Sequence, residues 1–335
     1  MNSTNPQKLF FEMLSNKMTA HENMVDVVSE LLSVSRDSAY RRIRGETALI
    51  FDEMILLAAH FEISIDAIVM MNEQFQTVNF HYQRYGINFL DYMEFIEREF
   101  KMYKPGKDFQ IIYSAKDYPS HYNFLFPELA VFKAFFYTRV LWADDLMEDF
   151  KFDFDNIYNI LQAAGLKKIG DRILNFYLQR NSTEIWNIES LNGHINQLRY
   201  CWESGLFTDK ANALLLLRKT REMINHISKQ AAKGYKYLPG EIEKPGGKYD
   251  LYYIDAVQLE HTIWREVDGA QKTYLLYNTG DYLLTSNEKF CNRTERYLKN
   301  LIRKSTLISK TGEKARHQLF NKIKEDIAQL ISEIE

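Results

Sequence analysis

The sequence predicts a multidomain chain. Residues 1–72 read as an all-α unit of five short helices, 73–105 as a connector helix, and 106–335 as a larger α+β domain, mainly helical, with a short antiparallel sheet. Three observations lead there. The chain has 335 residues, beyond the ~250 at which one core usually stops growing. The first seventy or so residues hold short apolar stripes of helical period, separated by polar helix starts. Beyond residue 249 the apolar period changes to two.

Composition narrows the classes. Apolar residues are 46% and charged residues 26%, the balance of a globular protein. The net charge of −3 supplies no global pull on nucleic acid, so such binding has to rest on local clusters. Aromatics reach 14% and lie mostly beyond residue 74, which suits either a large core or an aromatic pocket. Cys201 and Cys291 are too few for a disulfide framework, and no Cys/His group has metal-site spacing. The N-terminus shows no basic stretch followed by an apolar one, and no apolar run approaches the ~20 residues of a membrane span. The expectation is a cytoplasmic protein with reduced thiols and no membrane contact.

In order along the chain, Pro6 opens a helix with Leu9, Phe10, Met13 and Leu14 on one face. Asn23–Leu32 repeats the pattern with Met24, Val27, Val28, Leu31 and Leu32. Ser33-Val34-Ser35 forms a turn, Ser35 suits an N-cap, and the helix that follows runs to Arg44 before Gly45 at its C′ position. A fourth helix covers about 51–61, and Ser64-Ile65-Asp66-Ala67-Ile68 starts a fifth.

The stretches VVSELLSVSRDSAYRRIRGE and MILLAAHFEISIDAIV, about a fifth of the chain, resemble the phage-repressor (Xre-type) helix-turn-helix domain. The resemblance implies a recognition helix laid in the major groove of double-stranded DNA. On this reading Arg36, Ser38, Tyr40 and Arg41 contact bases, Arg42 and Arg44 clamp phosphates, and the helix start at Ser35 favours a phosphate. One departure stands: three positions after Ala39 the family places an apolar residue, and here Arg42 precedes the apolar Ile43. Whether Arg41 or Arg42 faces the groove is left open by that shift. Residues 1–72 carry six Lys/Arg against ten Asp/Glu, a net of −4, yet four of the six positives lie within nine residues.

Phe89, Met93, Ile96, Phe100 and Tyr103 form a heptad-like stripe, either a dimer seam or a face packed on the chain's own second domain. In the larger domain, Phe109–Tyr113 reads as a strand. Helices are expected at about 128–142, 154–165, 168–180, 182–203 and 210–233. Residues 234–249 read as a glycine- and proline-rich loop. Short strands follow at 251–254, 257–259, 262–267, 273–277 and 282–284, with turns at Asp268-Gly269 and Asn278-Thr279-Gly280. Helices at about 287–305 and 313–334 close the chain. Between Arg293 and Lys324 the net charge is +8, either a solvated face or a surface for DNA backbone or an anionic effector.

No phosphate-binding glycine loop, HExxH, GxSxG or HxK…D pattern occurs, and His121, His194, His226, His261 and His317 are scattered. No catalytic residue, metal ligand or cofactor is assigned. The expected function is a homodimeric transcriptional regulator that reads DNA and senses a small molecule or peptide. The alternatives are a protein-interaction adaptor, or an enzyme whose active site carries no recognisable motif.

Overall fold

The structure is a computed structural model that describes residues 6–18, 23–63, 78, 80–83, 89–101, 109–142, 149–278 and 281–335. It divides into two compact units, Met1–Asn79 and Phe80–Glu335.

In the first unit lie α1 (Pro6–Ser15), α2 (Met24–Leu32), α3 (Arg36–Arg44) and α4 (Phe51–His60). Their apolar stripes meet in a small core of Phe10, Phe11, Leu14, Val28, Ala39, Leu57, Ala58 and Ile63. Asn23 and Ser35 cap α2 and α3 by accepting from the backbone amides of Val25 and Ser38. Between them Ser33 sits in the left-handed region at φ 53°, which reverses the chain within a three-residue turn. The fifth helix expected from Ser64 lies outside the described residues.

The second unit opens with β1 (His81–Gln83) and α5 (Phe89–Lys101). Phe89 and Met93 of the heptad-like stripe are buried in this unit's main core, with Ile96 and Phe100 packed against it. Tyr103 lies outside the described residues. The remaining elements are β2 (Phe109–Ser114), α6 (Pro127–Phe136), α7 (Phe154–Ala163), α8 (Leu166–Gln179), β3 (Ser182–Trp186), α9 (Asn192–Glu203) and α10 (Lys210–Lys233). After them come β4 (Tyr249–Tyr253), β5 (Thr262–Val267), β6 (Ala270–Asn278), β7 (Asp281–Thr285), α11 (Glu288–Lys304), β8 (Thr306–Leu307) and α12 (Glu313–Ile334).

The expected short antiparallel sheet is overturned. The strands form one eight-stranded mixed sheet in the order β1-β7-β6-β5-β2-β3-β4-β8. Strands β2, β3 and β4 run parallel; the other pairings are antiparallel. The error centres on β3, because Ser182-Thr183-Glu184 resembles a helix start yet occupies an interior position of the sheet. The glycines of the 234–249 loop explain how β4 reaches it. A Cβ on Gly246 would lie 2.2 Å from the Leu178 carbonyl oxygen, and one on Gly247 would lie 2.1 Å from that of Arg180. Only bare backbone fits there, and the Gly247 amide donates to Leu178 at 2.7 Å. Residues 257–259, expected as a strand, form none.

Alternation along β3 splits the domain into layers. Trp186 enters the large core under the helices, whereas Ile185 joins a smaller cluster with Trp264, Cys291, Leu298 and Leu301 beneath α11. The β5–β6 hairpin turns at Asp268 and Gly269, both at positive φ (49° and 81°), as the Asp-Gly pair implies.

Candidate functional site

On α3 the side chains separate by face. Ala39 is fully buried and Ile43 half-buried, which sends Arg36, Tyr40, Arg41 and Arg44 outward. Arg36 pairs with Asp26 across the turn at 2.9 Å, Arg41 with Asp37 at 3.2 Å, and Arg44 with Glu46 at 3.4 Å while lying over the Tyr40 ring. All these pairs are solvent-exposed, so water and salt screen them and another anion can replace the partner at little cost. Ser35 and Ser38 share a hydroxyl contact of 3.0 Å at the helix start.

Arg42 is different. Its side chain is 16% exposed, and its guanidinium grips Glu53 at the start of α4 through two bonds of 2.9 and 2.8 Å. A further bond reaches the Ser38 carbonyl at 3.2 Å. Glu53 also accepts from the Ile50 amide at 3.3 Å, and the Arg42 hydrogen bond holds its carboxyl below the usual carboxylate range. Gln7 completes the joint: it donates to the carbonyls of Arg42 and Thr47 and accepts from the Leu49 amide. Of the two arginines left open by the Ile43 shift, Arg41 is the exposed one and Arg42 ties α3 to α4.

A second feature lies in the other unit, where β2 and β3 run parallel and their carboxyl ends leave the sheet at one edge. The segments beyond them interlock there. Tyr118 donates its amide to Ser190 at 2.8 Å, and the Ser190 hydroxyl donates to Ala115 at 2.7 Å. This edge is where parallel sheets usually place ligands. It opens into a cavity of about 500 Å³, walled by α5, the 115–125 segment, α6, the first turns of α9 and strands β5 to β7. The end of α6 widens into a π-turn, closed by the Trp142 amide on the Tyr137 carbonyl at 2.9 Å, and Tyr137 joins the wall.

Most of the wall is aromatic or aliphatic, but opposite charges line it. Lys133 Nζ is buried and donates to Gln197 at 2.6 Å, and burial lowers its pKa to about 8. The Asp117 carboxylate accepts from the Tyr118 amide at 3.1 Å and is pushed upward by burial. It lies against α9, where a Cβ on Gly193 would stand 2.9 Å from Oδ2. His121 is buried with its ring 3.6 Å from that of Tyr177, and Nε2 has no hydrogen-bond partner among the described residues. Burial lowers its pKa well below the ordinary value, so the imidazole is neutral. His261 is likewise lowered, to about 4. Across the cavity, Glu99 holds Arg265 at 2.6 Å and the Tyr274 hydroxyl.

Behind His121 a polar cluster is fully enclosed. Glu184 accepts from Tyr177, from Tyr122 at 3.2 Å, from Trp186 at 2.9 Å and from Tyr249 at 3.3 Å. Lys236 Nζ sits over the Tyr177 ring at 3.5 Å and donates to the carbonyls of Tyr177 and Arg180. Burial raises the Glu184 carboxyl and lowers the Lys236 ammonium to about 7. Neither lines the cavity, and their donors and acceptors are taken up within the fold, so this network shapes the core.

The basic stretch 293–324 is dispersed. Arg293, Arg296, Lys299, Arg303 and Lys304 lie on the exposed side of α11, whereas Arg316 is buried and donates to the carbonyls of Ile308 and Thr311. Among the described residues no group of His, Cys, Asp or Glu could hold a metal ion, and no helix is long and apolar enough to cross a membrane. The cavity residues escaped sequence reasoning, though one signal was present: a single lysine within the apolar run LAVFKAFFY. No family model, curated protein or solved structure matches the chain.

Proposed function

We propose that the chain is a sequence-specific DNA-binding regulator whose first unit reads the major groove with α3 and whose second unit holds the effector. The observation that supports this best is the face of α3 itself. Three exposed arginines and Tyr40 follow a capped helix start and a three-residue turn. Arg36, Tyr40 and Arg41 are assigned to bases, and Arg44 with the amides near Ser35 to phosphates. Arg42 is left out of the reading set because Glu53 holds it. A homodimer is part of the proposal, since one small reading helix rarely binds tightly alone.

Selection from random double-stranded DNA with the full chain, followed by fluorescence anisotropy at several salt concentrations, tests the reading. An enriched site whose affinity falls in Arg36→Ala and Arg41→Ala supports it. Arg44→Ala should reduce the salt slope by about one unit. A second reading, a protein-interaction module, draws on the carboxylate already beside each exposed arginine. It predicts no enriched sequence and no salt-dependent DNA binding.

A further inference from the structure

We infer that the cavity of the second unit receives a small zwitterion, a free α-amino acid or dipeptide with an aromatic or large aliphatic side chain, its ammonium on Asp117 and its carboxylate on Lys133. Both charges line the cavity with hydrogen-bonding capacity left over. Lys133 has spent one donor, on Gln197, and an ammonium has three. Asp117 accepts from the Tyr118 backbone amide, and an ionised carboxylate has about four acceptor sites. The attraction between the two is coulombic, without a hydrogen bond joining them. Unfilled capacity on a buried ammonium beside a half-buried carboxylate is costly unless a third body supplies both complements.

Three further observations limit what that body is. The charged residues of the wall balance, with Glu99, Asp117 and Glu189 against Lys116, Lys133 and Arg265, while the neutral histidines add nothing. An ion of either sign would therefore be left uncompensated, whereas a zwitterion would not. His121 brings to the same wall a buried Nε2 without a partner among the described residues, a place for one further polar atom of the ligand. Phe89, Tyr92, Met93 and Phe95 supply an apolar surface for a side chain, and about 500 Å³ suits one or two residues rather than a long peptide. Gly193 fits the same picture, because any larger residue there would press on the Asp117 carboxylate.

The role of such a ligand as effector rests on the regulatory reading above; its binding does not. The test is calorimetric titration of the full chain with L-phenylalanine, L-tryptophan, L-leucine and the dipeptide Phe-Leu. Beside them run 3-phenylpropanoate and 2-phenylethylamine, each of which keeps one charge and lacks the other. At least one zwitterion is expected to bind, and the corresponding one-charge analogue to bind about 10- to 100-fold more weakly. Asp117→Asn should erase the advantage of phenylalanine over 3-phenylpropanoate, and Lys133→Met its advantage over 2-phenylethylamine. If either variant fails to fold, the analogue ranking on the unaltered chain decides alone. No binding of any zwitterion at millimolar concentration, or equal binding of the analogues, overturns the inference. DNA anisotropy on the same samples separates the two ideas. Zwitterion binding without DNA binding upholds the cavity and removes the regulatory role, whereas DNA binding without zwitterion binding overturns the cavity assignment alone.

Discussion

Replacing Arg41 and Arg42 separately by alanine should divide two effects that the sequence places side by side. Arg41 is 59% exposed and its partner Asp37 74% exposed, on adjacent turns of one helix. Such a pair contributes about 0.3–0.5 kcal/mol, so Arg41→Ala should leave stability nearly unchanged. Arg42→Ala removes two bonds to Glu53 and one to Ser38, and strands a carboxylate that is only 14% exposed. With the Ile50 amide as its remaining donor among the described residues, the cost is roughly 2–3 kcal/mol. That is a large share of what a unit of some seventy residues can hold, given typical stabilities of about 5–15 kcal/mol for whole domains. DNA binding should move the other way: Arg41→Ala loses roughly 1–3 kcal/mol of affinity while folded. The assay is urea unfolding followed by circular dichroism, paired with anisotropy on the selected DNA site. The reasoning fails if Arg42→Ala unfolds at the same urea concentration as the unaltered chain. It fails equally if Arg41→Ala is folded and binds that site with undiminished affinity.

Three other outcomes follow from the second unit. Glu97 is held by Arg172 at 2.5 and 2.9 Å and by Lys101 at 2.7 Å, and these bonds lower its pKa from 4.5 to about 2. A depressed carboxylate stabilises the fold above its ordinary pKa and loses that contribution as pH falls from 4.5 towards 2. Acid titration of Glu97→Gln should therefore show a shallower stability loss in that window than the unaltered chain. Glu184→Gln removes the charge that opposes buried Lys236, and urea unfolding should register a loss of about 3 kcal/mol; no change would mean the pair is not coupled. Gly247→Ala should lower the melting temperature more than Gly240→Ala, because the first Cβ meets backbone at 2.1 Å, whereas the second meets open space and strains only its own positive φ of 84°.

Legibility followed the range of the interactions. Helices with their own caps were readable, since Ser35 with Gly45, Asp209 with Gly234, and Asn287 place their ends locally. The Asp268-Gly269 turn was readable for the same reason, its backbone geometry being set by the two residues themselves. Strand β3 was not. Its buried Glu184 looks like a surface residue until Tyr122, Tyr177 and Tyr249 arrive from distant segments to hold it. Strand β1 is three residues long and β8 two, too short for any period to show. The cavity was hidden for a related reason. Asp117, Lys133 and Gly193 come from three segments that meet only because β2 and β3 run parallel, and that pairing was missed along with β3.

The two units treat charge in opposite ways, and the contrast carries the functional argument. On α3 three arginines are exposed, each beside a carboxylate that salt or a phosphate can displace, which is what reversible binding to a polyanion requires. Deep in the second unit Glu184 and Lys236 are buried with their hydrogen bonds supplied by tyrosines, a tryptophan and backbone carbonyls, so they need nothing from outside. Asp117 and Lys133 follow neither pattern. Lys133 is buried like the second pair and Asp117 half-buried, yet their bonds are incomplete like those of a surface group. A fold gains nothing by burying an ammonium beside a half-buried carboxylate and leaving both half-satisfied. The arrangement becomes favourable once a molecule bearing both complementary charges enters the cavity, so these two residues are where binding to the second unit should be sought.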